Sequence, residues 1–172
     1  MASIQTIPFD AIDEGWDNFF EENEDNIQKR IDGMAEKQQL LMVYLMTIGE
    51  DMMTEDEQES LFAYGAFAWF MLDKHGCHAE VTESVLDEVE SGYAEMLEDL
   101  EQQAPEEYVK KINEILKTHN QGIMLNYLLD VLDTEVEEGV TGEENAGMMF
   151  TILQVTIDCL LKAQKGSLNG AA

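Results

Sequence analysis

The sequence predicts an all-α protein, a compact bundle of six to eight helices built from two tandem helical repeats related by a pseudo-twofold axis. Three observations carry this expectation. Apolar residues recur at helical spacing along most of the chain, and nothing alternates with the period of two that a half-buried strand needs. A set of motifs occurs twice in the same order. Two segments are apolar on nearly all sides, so each must be covered by other helices.

The elements follow in order. Phe9, Ile12, Trp16, Phe19, Phe20, Asn23 and Ile27 fall on one helical face, apolar except for Asn23. Further helices are expected over about Asp25–Thr47 and Thr54–His75. Thr54 and Glu57 have the spacing of a capping box, in which side chains satisfy first-turn N–H groups reciprocally. Gly76 suits the left-handed conformation that stops a helix. Inside the second of these helices, Leu61–Leu72 is the longest unbroken apolar stretch. As a helix it is about 18 Å long, short of the roughly 30 Å of a bilayer core, so no membrane span is expected.

After Gly76, Thr82 is the expected N-cap of the next helix, with Val81 and Leu86 as a hydrophobic staple. Its face is Val85, Leu86, Val89, Tyr93, Met96, Leu97 and Leu100. Pro105 fits a first helical turn, where its missing N–H costs nothing. That helix runs to about Thr118, another covers about Ile123–Glu135, and the last about Gly142–Lys165. Within the last, Met148–Leu161 is the second apolar rod, interrupted by Thr151, Gln154, Thr156 and Asp158. Asp158 is expected at the rim of the core.

The repetition is sequential. Phe9–Trp16 matches Leu86–Tyr93 at an offset of 77, pairing Gly15-Trp16 with Gly92-Tyr93. Lys29-Arg30-Ile31 parallels Lys110-Lys111-Ile112. Leu40–Leu45 parallels Ile123–Leu128, with Tyr44 and Tyr127 in register. Thr54 and Thr141 each precede acids and then an apolar helix. The copies span about 8–78 and 81–166 of a single domain over 1–172, with 167–172 as a flexible tail.

Charge narrows the function. The chain has 37 Asp and Glu against 9 Lys and Arg, a net −28. The acid is even: residues 1–80 hold 18 acids and 4 bases, residues 81–172 hold 19 and 5. Such a surface repels nucleic-acid phosphate and anionic lipid, so direct nucleic-acid binding is not expected. Two cysteines exclude a disulfide scaffold. Met1–Phe9 has neither a basic region nor a long apolar run, so no secretory signal is expected, and a cytoplasmic protein with reduced thiols is.

Candidate chemistry is sparse. His75, Cys77 and His78 form the only cluster of soft metal ligands. A tetrahedral zinc site would need a further ligand, from Glu80, His119 or Cys159. The simpler reading is a helix C-terminus where positive charge is favourable. Counting Asp133 as position one puts Glu144 at position twelve of a calcium loop, but position six is Glu138 and Gly139 comes one place late. Residues three before the histidines are Leu72, His75 and Leu116, which excludes the Glu-x-x-His of di-iron bundles. No glycine-rich phosphate loop or nucleophile elbow occurs, so neither a catalytic residue nor a cofactor is expected. The paired bases Lys29, Arg30, Lys110 and Lys111 are candidates for contact with an anion or with a partner's carboxylates, or else for salt bridges to nearby acids.

The expectation is therefore a non-enzymatic interaction or regulatory protein that binds a basic protein partner. Its sharper variant is a nucleic-acid mimic. The alternative is a small-molecule or metal-binding protein using a groove between the repeats, lined by Trp16, Tyr44, Trp69 and Tyr127.

Overall fold

The computed structural model describes residues 4–21 and 23–170. Those residues form eight α-helices and no strand: α1 (Phe9–Phe20), α2 (Glu24–Lys37), α3 (Gln39–Thr47), α4 (Glu55–Lys74), α5 (Glu83–Glu101), α6 (Pro105–Thr118), α7 (Gly122–Glu137) and α8 (Glu143–Gly170).

The two apolar rods become α4 and α8, which pack against each other at the centre. Leu61, Phe67 and Leu72 of α4 are fully buried, as are Leu153 and Leu160 of α8. α1, α2 and α3 pack on α4, while α5 and α7 pack on α8. α6 lies against α5 and α7, and α1 also reaches α7. By length and composition α8 is apolar enough to cross a membrane, but 67% of that stretch is buried inside the bundle, the position of a core helix.

The local signals act as their chemistry requires. Thr54 N–H donates to Glu57 Oε2 at 2.9 Å, and Glu57 N–H donates to Thr54 Oγ1 at 3.2 Å. The Glu57 carboxylate also accepts from Gly142 N–H at 2.9 Å and from the Asn145 amide at 2.7 Å. One buried acid thus ties the starts of both central helices. Burial opposes its ionisation, but these donors outweigh burial and hold its carboxyl below the usual range. Thr82 accepts Val85 N–H at 3.4 Å, with Val81 and Leu86 both buried. Pro105 is the first residue of α6, and Gly76 takes φ +99° after α4.

The sequence expectation differs from the structure at two helix breaks. The face drawn from Phe9 to Ile27 is cut after Phe20, and Asn23 caps α2 by accepting Asn26 N–H at 3.1 Å. The helix expected over Asp25–Thr47 is split at Gln38 (φ −138°, ψ 50°). The buried Gln38 side chain accepts Val81 N–H at 2.9 Å and donates to Ala79 O at 2.8 Å. The extended chain before α5 has no sheet partner, so its backbone groups must be paired by a side chain. Gln121, between α6 and α7, does the same for the chain before α1. It accepts Ile7 N–H at 3.2 Å and donates to Gln5 O at 2.9 Å.

Each half thus clamps the lead-in to the other half's first helix. The clamped residues Ile7 and Val81 lie 74 places apart, as do the buried Ile12 and Leu86. The Gly-aromatic pairs Gly15-Trp16 and Gly92-Tyr93 lie 77 apart. At the C-terminus α8 carries helix through 167–170, past Gly166, where the sequence predicts a tail. Residues 171 and 172 of that expected tail lie outside the described residues.

Candidate partner-binding groove

α3 is nine residues long and ends at Thr47. The chain then turns back on itself, with Met52 and Met53 N–H donating to Gly49 O at 3.0 and 2.8 Å. The turn sends neighbouring methionines in opposite directions: Met53 is 8% exposed and Met52 61%. Ile48 is also exposed, and Val43 and Met46 stand about half-exposed on the outer side of α3. Four large apolar side chains are therefore in solvent within residues 43–52.

Beside this turn runs a groove of about 460 Å³ between α3, α5 and α8. Ile48, Met52, Leu97 and Met148 form its walls, and the buried Tyr44, Ile152 and Val155 its floor. Glu90 of α5 also faces it, near the Tyr44 hydroxyl. Burial, then the adjacent Glu90 charge, push the Tyr44 phenol far above its ordinary value, so the hydroxyl stays a donor. No Lys or Arg lines the groove. Residues 38–73 and 75–109, which include all of α3, the turn and α5, contain none, while they carry 18 acids.

The sequence-nominated residues go elsewhere. His75 Nδ1 lies 2.8 Å from Met71 O, Cys77 Sγ donates to Leu160 O at 3.1 Å, and His78 Nδ1 lies 3.0 Å from Asp73 Oδ1. The three side chains do not converge, and no group of three His, Cys, Asp or Glu suited to a metal occurs among the described residues. Burial pushes the Cys77 thiol up to about 11 and the Cys159 thiol to about 12, so both are inert, free thiols. The calcium-loop reading fails because Asp133–Glu137 is helical within α7. Glu135 instead accepts from Ser60 at 2.9 Å, from Thr141 at 2.7 Å and from the Tyr64 hydroxyl.

Of the paired bases, Arg30 stacks over Phe70 at 4.5 Å and Phe19 at 5.5 Å and donates to Asn18 O at 2.7 Å. Lys110 pairs with Glu107 at 3.3 Å and Lys111 with Glu114 at 3.8 Å, while Lys29 is exposed. Of the four aromatics expected in a groove between the halves, Tyr44 alone lines this one. Trp16 packs on Phe20, Tyr64, Phe67 and Tyr127, and Trp69 is buried. Sequence reasoning missed Ile48 and Glu90, and it favoured Met52 as core filler, where the structure exposes it. The available signal was an Ile-Gly-Glu-Asp-Met turn, where apolar residues flank polar ones outside any helical period.

Comparison with protein families, with curated proteins and with solved structures finds no match to this chain.

Proposed function

We propose that this protein is a non-enzymatic interaction protein whose groove between α3, α5 and α8 takes a basic, amphipathic helical segment of a protein partner. The observation that carries this reading is the pairing of exposed apolar side chains with the complete lack of bases around them. Ile48, Met52, Leu97 and Met148 offer the apolar strip that an amphipathic helix seeks. The methionines at the rim adapt to different side chains. The surrounding carboxylates would steer a cationic partner and reject an anionic one. The exposed apolar strip favours this over a nucleic-acid mimic, which needs rows of carboxylates rather than grease.

Two companion readings belong with it. The halves are tandem copies of a four-helix unit, a reading supported by the crosswise glutamine clamps and by shared packing: α1 on α4 like α5 on α8, α3 on α4 like α7 on α8, and α2 on α3 like α6 on α7. The two free, buried thiols fit a reducing compartment such as the cytoplasm.

Calorimetric titration with a Lys-rich amphipathic peptide tests the functional reading. Saturable binding is expected at low salt, weakening as salt rises. The double variant Ile48→Asp, Met52→Asp adds negative charge but removes the apolar strip, and should weaken binding by about tenfold or more. Undiminished binding by that variant, or none by the native chain at low salt, rejects the proposal.

A further inference from the structure

The opposite flank of α5 is built differently. Between α5, α6 and α8 lies a cavity of about 890 Å³, open to solvent. Val85, Val89, Met96, Ile115 and Leu161 give it an apolar lining. Lys111, Lys162 and Lys165 also line it. These are three of only nine cationic side chains in a chain of net charge −28. Their gathering around one apolar cavity runs against the charge of the rest of the surface.

Both carboxylates that line the cavity are already engaged. Glu88 is ion-paired with Lys162. Asp158 accepts the Tyr93 hydroxyl on Oδ2 at 2.5 Å and faces His119 Nε2 through Oδ1 at 2.5 Å. The other ring nitrogen of His119 accepts Gln121 N–H at 2.9 Å, so Nε2 is the nitrogen that carries a proton toward Asp158. The wall is thereby fixed from the α6–α7 connection. Lys111 is held only loosely, 3.8 Å from Glu114, and Lys165 has no ion pair among the described residues.

The cavity is also kept wide at a cost to the helices. Gly92 of α5 and Gly166 of α8 both line it, and a Cβ at either would meet no atom within 4 Å. Glycine inside a helix is destabilising by roughly 1 kcal/mol relative to alanine. The matching place in the first half is filled. Phe19, Arg30 and Phe70 are the eleventh residue of α1, the seventh of α2 and the sixteenth of α4. Tyr93, Lys111 and Asp158 hold those same places in α5, α6 and α8. In the first half the guanidinium lies on the two rings and seals the junction. In the second half the rings are replaced by a tyrosine and an acid bound to each other, and the cation is left facing open space.

We infer that the α5–α6–α8 cavity is a binding site for a small amphiphilic organic anion, whose apolar body lies along Val85, Val89, Met96, Ile115 and Leu161 and whose anionic group pairs with Lys111 and Lys165. Tyr93 borders both this site and the groove on the other flank of α5, but no residue assigned here to the anion lines that groove, so the site stands without it.

Isothermal titration of the full chain with decanoate below its micelle concentration tests this, with decanol and acetate as tail-only and head-only probes. Decanoate should bind saturably, and about tenfold or more tighter than either control. Lys111→Met with Lys165→Met should weaken it by about tenfold, while Lys117→Met, outside the cavity, should not. Gly92→Leu points a side chain into the open space and should abolish binding with the thermal transition retained. Decanol binding as well as decanoate would show that the lysines do no recognition and overturn the inference. So would decanoate binding that survives Gly92→Leu, or no saturable binding at all.

Discussion

α1 and α5 enter the bundle in the same way, each after an extended segment clamped by a glutamine from the other half. Their flanks then diverge. α1 is packed on both sides: Phe19 meets Phe70 under Arg30, and Trp16 and Phe9 meet Tyr127 at 5.5 and 5.8 Å. At the eighth place, where α1 has Trp16, α5 has Glu90, and it faces Tyr44 across an open groove. At the eleventh, where α1 has Phe19, α5 has Tyr93 bound to Asp158 beside an open cavity. Aromatic residues close one helix into the fold, and polar ones leave the other with two unfilled flanks. The difference teaches that aromatic packing closes α1 into the fold, while α5 keeps two open flanks, on which the proposed binding rests.

The largest expected effect tests the packed side. Phe19 is 4% exposed among four ring contacts or cation stacks, so Phe19→Ala should cost about 3–5 kcal/mol in urea unfolding. Tyr93→Ala, at the matching place in α5, should cost less than half as much. Equal losses would break the comparison. The glutamine clamps should instead behave alike. Gln38→Ala and Gln121→Ala each strand a buried donor and a part-buried acceptor, and each should cost about 1–3 kcal/mol by the same measurement. A large loss in one and none in the other would remove the shared entry of the two helices.

Acid sharpens the picture at the point where the halves meet. Because the Glu57 carboxyl is held below its ordinary value, its ionised form stabilises the fold at neutral pH. That contribution is complete above the ordinary carboxylate value and is lost as pH falls through the lowered one. Glu57→Gln should therefore be less stable by about 1–3 kcal/mol at pH 7, and the gap should narrow in acid. A gap unchanged from pH 7 to pH 3 would contradict the role given to the charge. The smallest effects concern glycines. A Cβ at Gly15 would lie 2.3 Å from Met71 Sδ, so Gly15→Ala should destabilise by about 1 kcal/mol. Gly92→Ala meets open space and should stabilise by about 0.5–1 kcal/mol through helix propensity. Opposite signs are the expected result in thermal melts.

Much of this fold was legible because its signals are local. The caps at Thr54 and Thr82, the first-turn Pro105, the stop at Gly76 and the two apolar rods each depend on residues a few places apart. Gln38 and Gln121 were not legible. A glutamine in a helical stretch reads as surface, and their partners lie 41 to 116 residues away. The sequence marked Asp158 as an interruption of an apolar helix, but Tyr93 and His119 are 65 and 39 residues distant and share no period with it. The groove escaped for a related reason, since its walls come from one turn of the first half and two helices of the second.

The central claim, that binding belongs to the flanks of α5 and the groove side takes a basic helix, is tested most directly by amide NMR of the full chain titrated with a Lys-rich amphipathic peptide. The expected result is shifts confined to α3, the 48–53 turn, α5 and the start of α8, with α1 and α7 unmoved. Shifts centred on α1 and α7, or spread evenly over the acidic surface, would contradict it.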